Sequence, residues 1–230
     1  MPPRLEGKIA VVTGASRGIG LAITRALAAE GCQLALASRT IETTEFPDAL
    51  VHRCDVRDPQ SVDEFFATVR QRFGRIDILV NNAGNAHALL NVENMPIDTF
   101  RDVLDTNLFG TFLCTRAALP LIPRGGAIIN NLSICAVQVF PQESAYCSAK
   151  FGTLGFTNVL REECRPKGIR VIALMAGATA TDIWNQFMPD APRDRMLSPD
   201  TVATAVVNAL LLSENSSVDE IRISPTSGVL

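Results

Sequence analysis

The chain contains one tyrosine, Tyr146, and the residues after it read Cys147, Ser148, Ala149 and Lys150. Positions four apart lie on one face of a helix, so this spacing brings a phenol and an ammonium together. A neighbouring cation favours the phenolate and lowers a reference pKa of about 10 toward working pH. A phenol tuned in this way can give a proton to a carbonyl oxygen, or take one from an alcohol in the reverse direction. Tyr146 is therefore expected to be a general acid/base, with Lys150 as the group that tunes it.

A second pattern provides for a reactant that carries phosphate. The stretch Thr13-Gly14-Ala15-Ser16-Arg17-Gly18-Ile19-Gly20 follows an apolar run and opens a helical one. Glycines at a strand-to-helix turn permit tight backbone geometry and close approach by a ligand. The helix that follows offers free N–H groups and a positive dipole end to a pyrophosphate. Gly14, Ser16, Arg17, Gly18, Ile19 and Gly20 are the expected cradle. At the end of the second apolar run the chain reads Ser38-Arg39-Thr40. A site built for NAD(H) carries an acid near this point, against the ribose 2′-hydroxyl. Arg39, with Arg17 as a second charge, matches a 2′-phosphate instead. NADP(H) is the expected cofactor.

These side chains need a frame that brings residues 14, 39, 133, 146 and 150 together. Short apolar runs at 8–13, 33–38, 50–54, 76–80, 126–132, 170–175 and 220–224 alternate with helical patterns near 18–30, 59–73, 97–119, 144–165 and 199–212. Alternation of this kind argues for an α/β fold, a doubly wound parallel sheet covered by helices on both faces. Near-continuous apolar strands suit burial on both sides. Pro59 and Pro199 stand where a first helical turn begins, which a proline tolerates well. Residues 39–49 are only eleven and include Pro47, so an irregular segment or a single turn is expected there in place of a crossover helix. One domain spanning residues 1–230 is expected, since no linker-like stretch or repeat interrupts the pattern.

Composition sets limits on function. The 230 residues are 47% apolar and 20% charged, with a net charge of -3, as in an ordinary globular enzyme. No block of Lys and Arg offers a footprint for nucleic acid. The apolar run at residues 202–212 contains Thr204 and Asn208 and falls short of the ~20 residues a membrane span needs. The apolar start is too short and wrongly flanked for a signal peptide, so a cytoplasmic protein is expected. Six cysteines are scattered with no C-x-x-C pair, and His52 and His87 do not cluster with them, so no metal site is readable. Most of the cysteines should be core residues; Cys135 and Cys147 stand apart because they flank Ser133 and Tyr146.

Taken in order, these motifs resemble the short-chain dehydrogenase/reductase family, over nearly the whole chain. The match comprises the glycine turn, Asp55-Val56 after the third strand, Asn81-Asn82-Ala83-Gly84 after the fourth, Asn107 in the helix at 97–119, Ser133 after the fifth strand, and Tyr146 with Lys150. The resemblance implies a Rossmann-type domain with a mainly seven-stranded parallel sheet. It also implies hydride transfer between NADP(H) and a carbonyl or alcohol. Under it, Ser133 would hydrogen-bond the substrate oxygen, and Lys150 would bind the nicotinamide ribose and lower the Tyr146 pKa. Asn107 would hold a water in a proton relay. Asp55 and Val56 would meet the adenine, while Ser38, Asn81, Asn82, Ala83, Gly84, Gly177 and Thr181 would line the cofactor. The family usually has Pro-Gly after the sixth strand, where this chain has Ala176-Gly177, which would loosen the loop over the nicotinamide.

On the substrate side, residues 178–198 hold Ile183, Trp184, Phe187 and Met188, a group able to close as a lid. Ile134, Cys135, Val137 and Phe140 would form another apolar wall, with Gln138, Gln142 and His87 as hydrogen-bonding groups. With no obvious Lys or Arg to hold a carboxylate, a neutral ketone, aldehyde or acyl thioester is the expected substrate. Helices at 97–119 and 144–165 are apolar around their circumference, which together with the family resemblance implies a homodimer or homotetramer. The competing reading is a non-catalytic NADP(H)-binding regulator, which would go with a broken catalytic set.

Overall fold

A computed structural model describes residues 4–41, 45–213 and 215–228. Seven strands form one parallel sheet: β1 (Ile9–Thr13), β2 (Gln33–Ser38), β3 (Leu50–Arg53), β4 (Ile78–Asn81), β5 (Ala127–Asn131), β6 (Arg170–Ala176) and β7 (Glu220–Ile223). Their order in space is β3-β2-β1-β4-β5-β6-β7, so the chain reverses its direction of travel at β1, with β4 on its other side. A crevice opens at the carboxyl ends of the strands at such a switch point.

The helices are α1 (Gly18–Ala29), α2 (Pro59–Phe73), α3 (Ile97–Leu104), α4 (Gly110–Ala118), α5 (Ser144–Cys164), α6 (Trp184–Phe187) and α7 (Pro199–Leu210). Strand alternation divides the core. In β1, Ala10 and Val12 face α1 and α7, where they meet Ile23, Leu27, Val202 and Val206. Val11 faces the other way, into the group containing Phe65, Leu113 and Leu160 from α2, α4 and α5. Both faces are covered, which is why the strands carry so few polar residues. Pro59 and Pro199 open α2 and α7, and the side chains of Asp58 and Ser198 cap them by accepting from Gln60 N and Thr201 N.

One sequence expectation changes. The helix expected at 97–119 is divided: a π-helical turn, Asp105–Phe109, separates α3 from α4, and a 3-10 turn follows at Leu119–Leu121. The connection between β2 and β3 contains no helix in residues 39–41 and 45–49, as its length implied; residues 42–44 lie outside the described residues. Ala176 belongs to β6, in register with Ile223, and the next amide, Gly177 N, donates to Ile223 O at 2.8 Å.

Candidate active site

The glycine turn is built by what surrounds it. Gly14 and Gly18 have φ of 64° and 58°, in the left-handed region that glycine adopts without strain. A Cβ on Gly14 would stand 2.8 Å from Ala83 Cα, so the turn lies directly against the chain leaving β4. Thr13 Oγ1 accepts from Asn82 N and Ala83 N at 3.0 and 3.1 Å, and Asn82 Nδ2 donates to Thr13 O and Gly14 O at 3.0 and 3.1 Å. Gly20 is different in kind. Its missing Cβ would meet Gly14 O at 2.3 Å, and it does not line the cavity described below, so its service is close packing rather than ligand contact.

Farther along the strand ends, a chain of side chains links this turn to the tyrosine helix. Asn131 Nδ2 donates to Asn82 Oδ1 at 2.9 Å, and Lys150 Nζ donates to Asn131 O at 3.0 Å. Gly14, Asn82, Asn131 and Lys150 are thereby joined across β1, β4, β5 and α5. Asn81, expected to line the cofactor, does not do so. It is the last residue of β4 and points into the core, where Nδ2 donates to Thr115 Oγ1 and Asn130 Oδ1 at 2.9 and 2.8 Å. Alternation along a strand sends adjacent residues opposite ways, and Asn82 is the one that faces the turn.

Tyr146 and Lys150 open α5 on one face, with Lys150 Nζ 5.4 Å from the centre of the Tyr146 ring. Both are buried, at 8% and 5% exposure. Ser133 follows β5 and lines the same cavity as Tyr146. Ser133 Oγ accepts from Cys135 N at 3.1 Å, which fixes it at the head of a 3-10 turn, Ile134–Ala136. Asn107 sits in the middle of the π turn. Its Nδ2 donates to Val103 O, Asn85 O and Asn85 Oδ1 at 2.9, 3.0 and 2.9 Å, and its Oδ1 is buried with no partner. Gly84 gives that oxygen its room, since a Cβ there would come within 2.7 Å of it. The Asn107 carbonyl accepts from Thr111 Oγ1 and Thr153 Oγ1 at 2.8 and 3.2 Å, which ties the π turn to α5 one turn beyond Lys150.

Burial is the largest influence on Tyr146, followed by Cys135, and both push the phenol well above its usual value; the Ser133 hydroxyl acts the other way. Burial also holds the Lys150 ammonium down, to about 8. Lys150 aims Nζ at a backbone carbonyl under the ring rather than at the phenol oxygen, and low-dielectric surroundings penalise both charged forms. The sequence spacing placed the pair on one face correctly but carried no information on their burial.

A cavity of about 1210 Å³ runs across the strand ends. Gly14, Ser16, Arg17, Gly18, Ile19, Ser38, Arg39, Asp55, Val56, Asn82, Ala83, Gly84, Asn107, Ser133, Tyr146, Lys150, Gly177 and Thr181 all line it. Ser38 Oγ donates to Ser16 Oγ at 3.1 Å, joining the end of β2 to the glycine turn. Arg17 and Arg39 are exposed, and among the described residues no carboxylate pairs with either. Asp55 is engaged by Arg57, whose Nε and Nη2 lie 3.0 and 2.6 Å from its oxygens and hold its carboxyl below the usual range. Arg57 also pairs with Asp102, which accepts from Asn85 Nδ2 at 2.5 Å. Asn85, Asp102 and Arg57 thus connect Asn107 to Asp55, and the motifs alone did not reveal them.

At its other end the cavity is walled by Ile134, Cys135, Phe140, Ile183, Trp184, Phe187 and Met188, as expected for the lid segment. Phe187 packs edge-on against Tyr146 at 5.2 Å between ring centres. Val137, Gln138 and Gln142 are exposed and do not line the cavity, and neither does buried His87. Their places are taken by Glu143, Asp182, Gln186 and Arg195. Arg195 contradicts the reading that no cation faces the substrate space; it lies in a segment whose fold brings it back over the strand ends, which linear spacing does not show.

The cavity suits a dinucleotide: bare glycine backbone at a helix N-terminus fits a pyrophosphate, and Arg17 and Arg39 line the cavity beside it. A cofactor cradle at one end and a buried phenol–serine pair at the other define the class of dinucleotide-dependent oxidoreductases. The family model for short chain dehydrogenase matches residues 8–192. A D-threitol dehydrogenase of Mycolicibacterium smegmatis is 38% identical over 224 residues, covering 89% of this chain and 86% of that one. Among solved structures, an alcohol dehydrogenase from the archaeon Thermococcus sibiricus, complexed with 5-hydroxy-NADP, superposes with a TM-score of 0.89 at 31% identity, over 97% of this chain and 98% of that one. A 3-ketoacyl-(acyl-carrier-protein) reductase from Brucella melitensis, complexed with NADH, gives 0.83 at 28% identity, over 95% and 98%. The chain belongs to the short-chain dehydrogenase/reductase family and is an oxidoreductase, which leaves the regulator reading without support.

Proposed function

We propose that the protein transfers hydride between NADP(H) and a carbonyl or alcohol substrate, with Tyr146 as acid/base. The observation that carries this reading is that Ser133, Tyr146 and Lys150 line the same cavity as the glycine turn. The reduced nicotinamide supplies the hydride when the cofactor is bound. Ser133 and Tyr146 hold the substrate oxygen from two sides, and Tyr146 Oη gives it a proton as the carbonyl is reduced. Burial keeps the phenol protonated at neutral pH, which suits the donor in the reductive direction. Lys150 orients the cofactor ribose from beneath, held by Asn131 O. Asn107 holds a water on its unpartnered Oδ1 and passes protons between Lys150 and solvent.

NADP(H) is favoured over NAD(H) because Arg39 and Arg17 line the cavity and, among the described residues, form no salt bridge with an acid, and the D-threitol and 3-ketoacyl relatives suit a reading of carbonyl and alcohol substrates. Among the described residues no helix is long and apolar enough to cross a membrane. Six unpaired cysteines fit a reducing, cytoplasmic setting. Association into a homodimer or homotetramer is supported by Phe109, Phe112, Phe151 and Val159, large apolar side chains left exposed on the π turn, α4 and α5.

The test is NADPH oxidation across ketones, aldehydes and acyl thioesters, with Tyr146→Phe alongside. Turnover in the parent and its loss by a factor of at least ~10² in the variant, with NADPH binding retained, is the expected result. Undiminished turnover in Tyr146→Phe would overturn the assignment.

A further inference from the structure

Ser133 and Tyr146 are bracketed by three side chains that the reaction above does not use. Cys135 lies two residues after Ser133, Glu143 precedes the first turn of α5, and Cys147 follows Tyr146. One ligand atom from each lies within 4.8 Å of the other two. Cys135 Sγ is 3.4 Å from Glu143 Oε2. A tetrahedral zinc ion, with sulfur at ~2.3 Å and oxygen at ~2.0 Å, sets a sulfur–oxygen edge of about 3.5 Å, so this pair already stands at ligand spacing. Both cysteines are buried, at 7% and 8% exposure. Cys135 and Glu143 also face the cavity. Among the described residues no Lys or Arg pairs with Glu143, and burial is the main influence raising its carboxyl pKa.

We propose that Cys135, Glu143 and Cys147 form a binding site for a thiophilic divalent cation of the zinc class, with a fourth position open to the substrate cavity. Two thiol protons leave as the two sulfur–metal bonds form, and the carboxylate supplies the third bond. Two thiolates and one carboxylate leave the bound dication with one net negative charge. The two sulfurs select soft metals over magnesium or calcium. The linear spacing hid this site, because its ligands lie eight and four residues apart, on opposite sides of the loop at 137–142.

Occupation of the site stops turnover. The ion stands in the substrate space and ties the 3-10 turn that holds Ser133, through Cys135 N, to the start of the Tyr146 helix. Only this effect on turnover rests on the function proposed above; binding of the cation does not.

The experiment uses the full chain, reduced and freed of metal with a chelator. Titration with Cd2+ is expected to raise a sulfur-to-cadmium charge-transfer band that saturates at one equivalent. X-ray absorption of the Zn2+-loaded protein is expected to show two sulfurs in the first shell at ~2.3 Å. Cys135→Ser and Cys147→Ser should each weaken binding at least tenfold, whereas Cys32→Ser, on the far side of the sheet, should bind normally. Carbonyl reduction should fall with occupancy and return on addition of chelator. A shell of oxygen and nitrogen alone in the unmutated chain, or a cadmium band that persists at full strength when both cysteines are replaced, would overturn the site. Metal binding in a chain that reduces no carbonyl would instead overturn the proposed function and leave the site standing.

Discussion

Arg39 and Lys150 are the residues on which cofactor chemistry can be measured most directly. A guanidinium on a phosphate forms a charge-assisted hydrogen bond, with a net contribution of about 1.5–3 kcal/mol. Arg39→Ala is therefore expected to raise the NADPH dissociation constant ~10-fold or more while leaving that for NADH little changed. Tighter binding of NADH than NADPH by the unmutated chain would show that neither Arg39 nor Arg17 reads a phosphate. Lys150 titrates near 8, so its ammonium is present below that pH and is lost above it. NADPH binding to the free protein should weaken as pH rises through about 8, as followed by fluorescence titration; a flat profile from pH 7 to 9 would remove Lys150 from cofactor binding. Residue types and spacings singled out Tyr146, Lys150 and the glycine turn, because such motifs are local in sequence, whereas Ser133 came only from the family resemblance. They did not disclose that Tyr146 and Lys150 are both buried, nor that Asn81 faces inward while Asn82 faces the glycine turn. Both depend on what other elements place around a side chain.

Among the elements, the β1–α1 junction has the least slack. A methyl group on Gly20 would lie 2.3 Å from Gly14 O and from Asn82 Nδ2, so the turn or the asparagine must shift. Gly20→Ala is expected to cost about 1–3 kcal/mol of stability, the usual range for overpacking, and to weaken dinucleotide binding as well. Urea denaturation with the parent in parallel measures the first; an unchanged midpoint would show that the clamp from Asn82 to Gly14 is loose. The division of the 97–119 pattern could not be foreseen, since residues 105–109 contain neither proline nor glycine. The π turn is held by tertiary bonds: the hydroxyl of Thr153 on the Asn107 carbonyl, and the Asn107 side chain on Asn85. Such turns concentrate at functional sites because the extra residue redirects a side chain, here Asn107. By contrast, Pro59 and Pro199 announced the starts of α2 and α7 from sequence alone, as prolines at that position do.

For the molecule as a whole, the open question of assembly turns on one apolar surface. Phe109 stacks on Phe112 at 6.0 Å, Phe112 meets Phe156 edge-on at 6.1 Å, and Phe151 and Val159 stand 43% and 60% exposed beside them. Light scattering is expected to give a dimer or a larger assembly, and Phe112→Glu should shift it toward monomer by burying a charge in the contact. A monomer at every concentration would refute association through this face. The strand order was legible as a class, from alternating apolar runs and helical patterns, but the membership of each core face came only from packing. That order also has a consequence for synthesis. β1 is made before its second neighbour, β4, whose first residue comes 69 positions after the first residue of β1. Until then the β4-facing edge of β1 is bare, and unpaired strand edges invite pairing with other chains. Tyr146 and Lys150, on α5, join later still. Pairings this distant along the chain fold slowly, and the rate of assembling the β1–β4 seam sets when the protein first becomes competent.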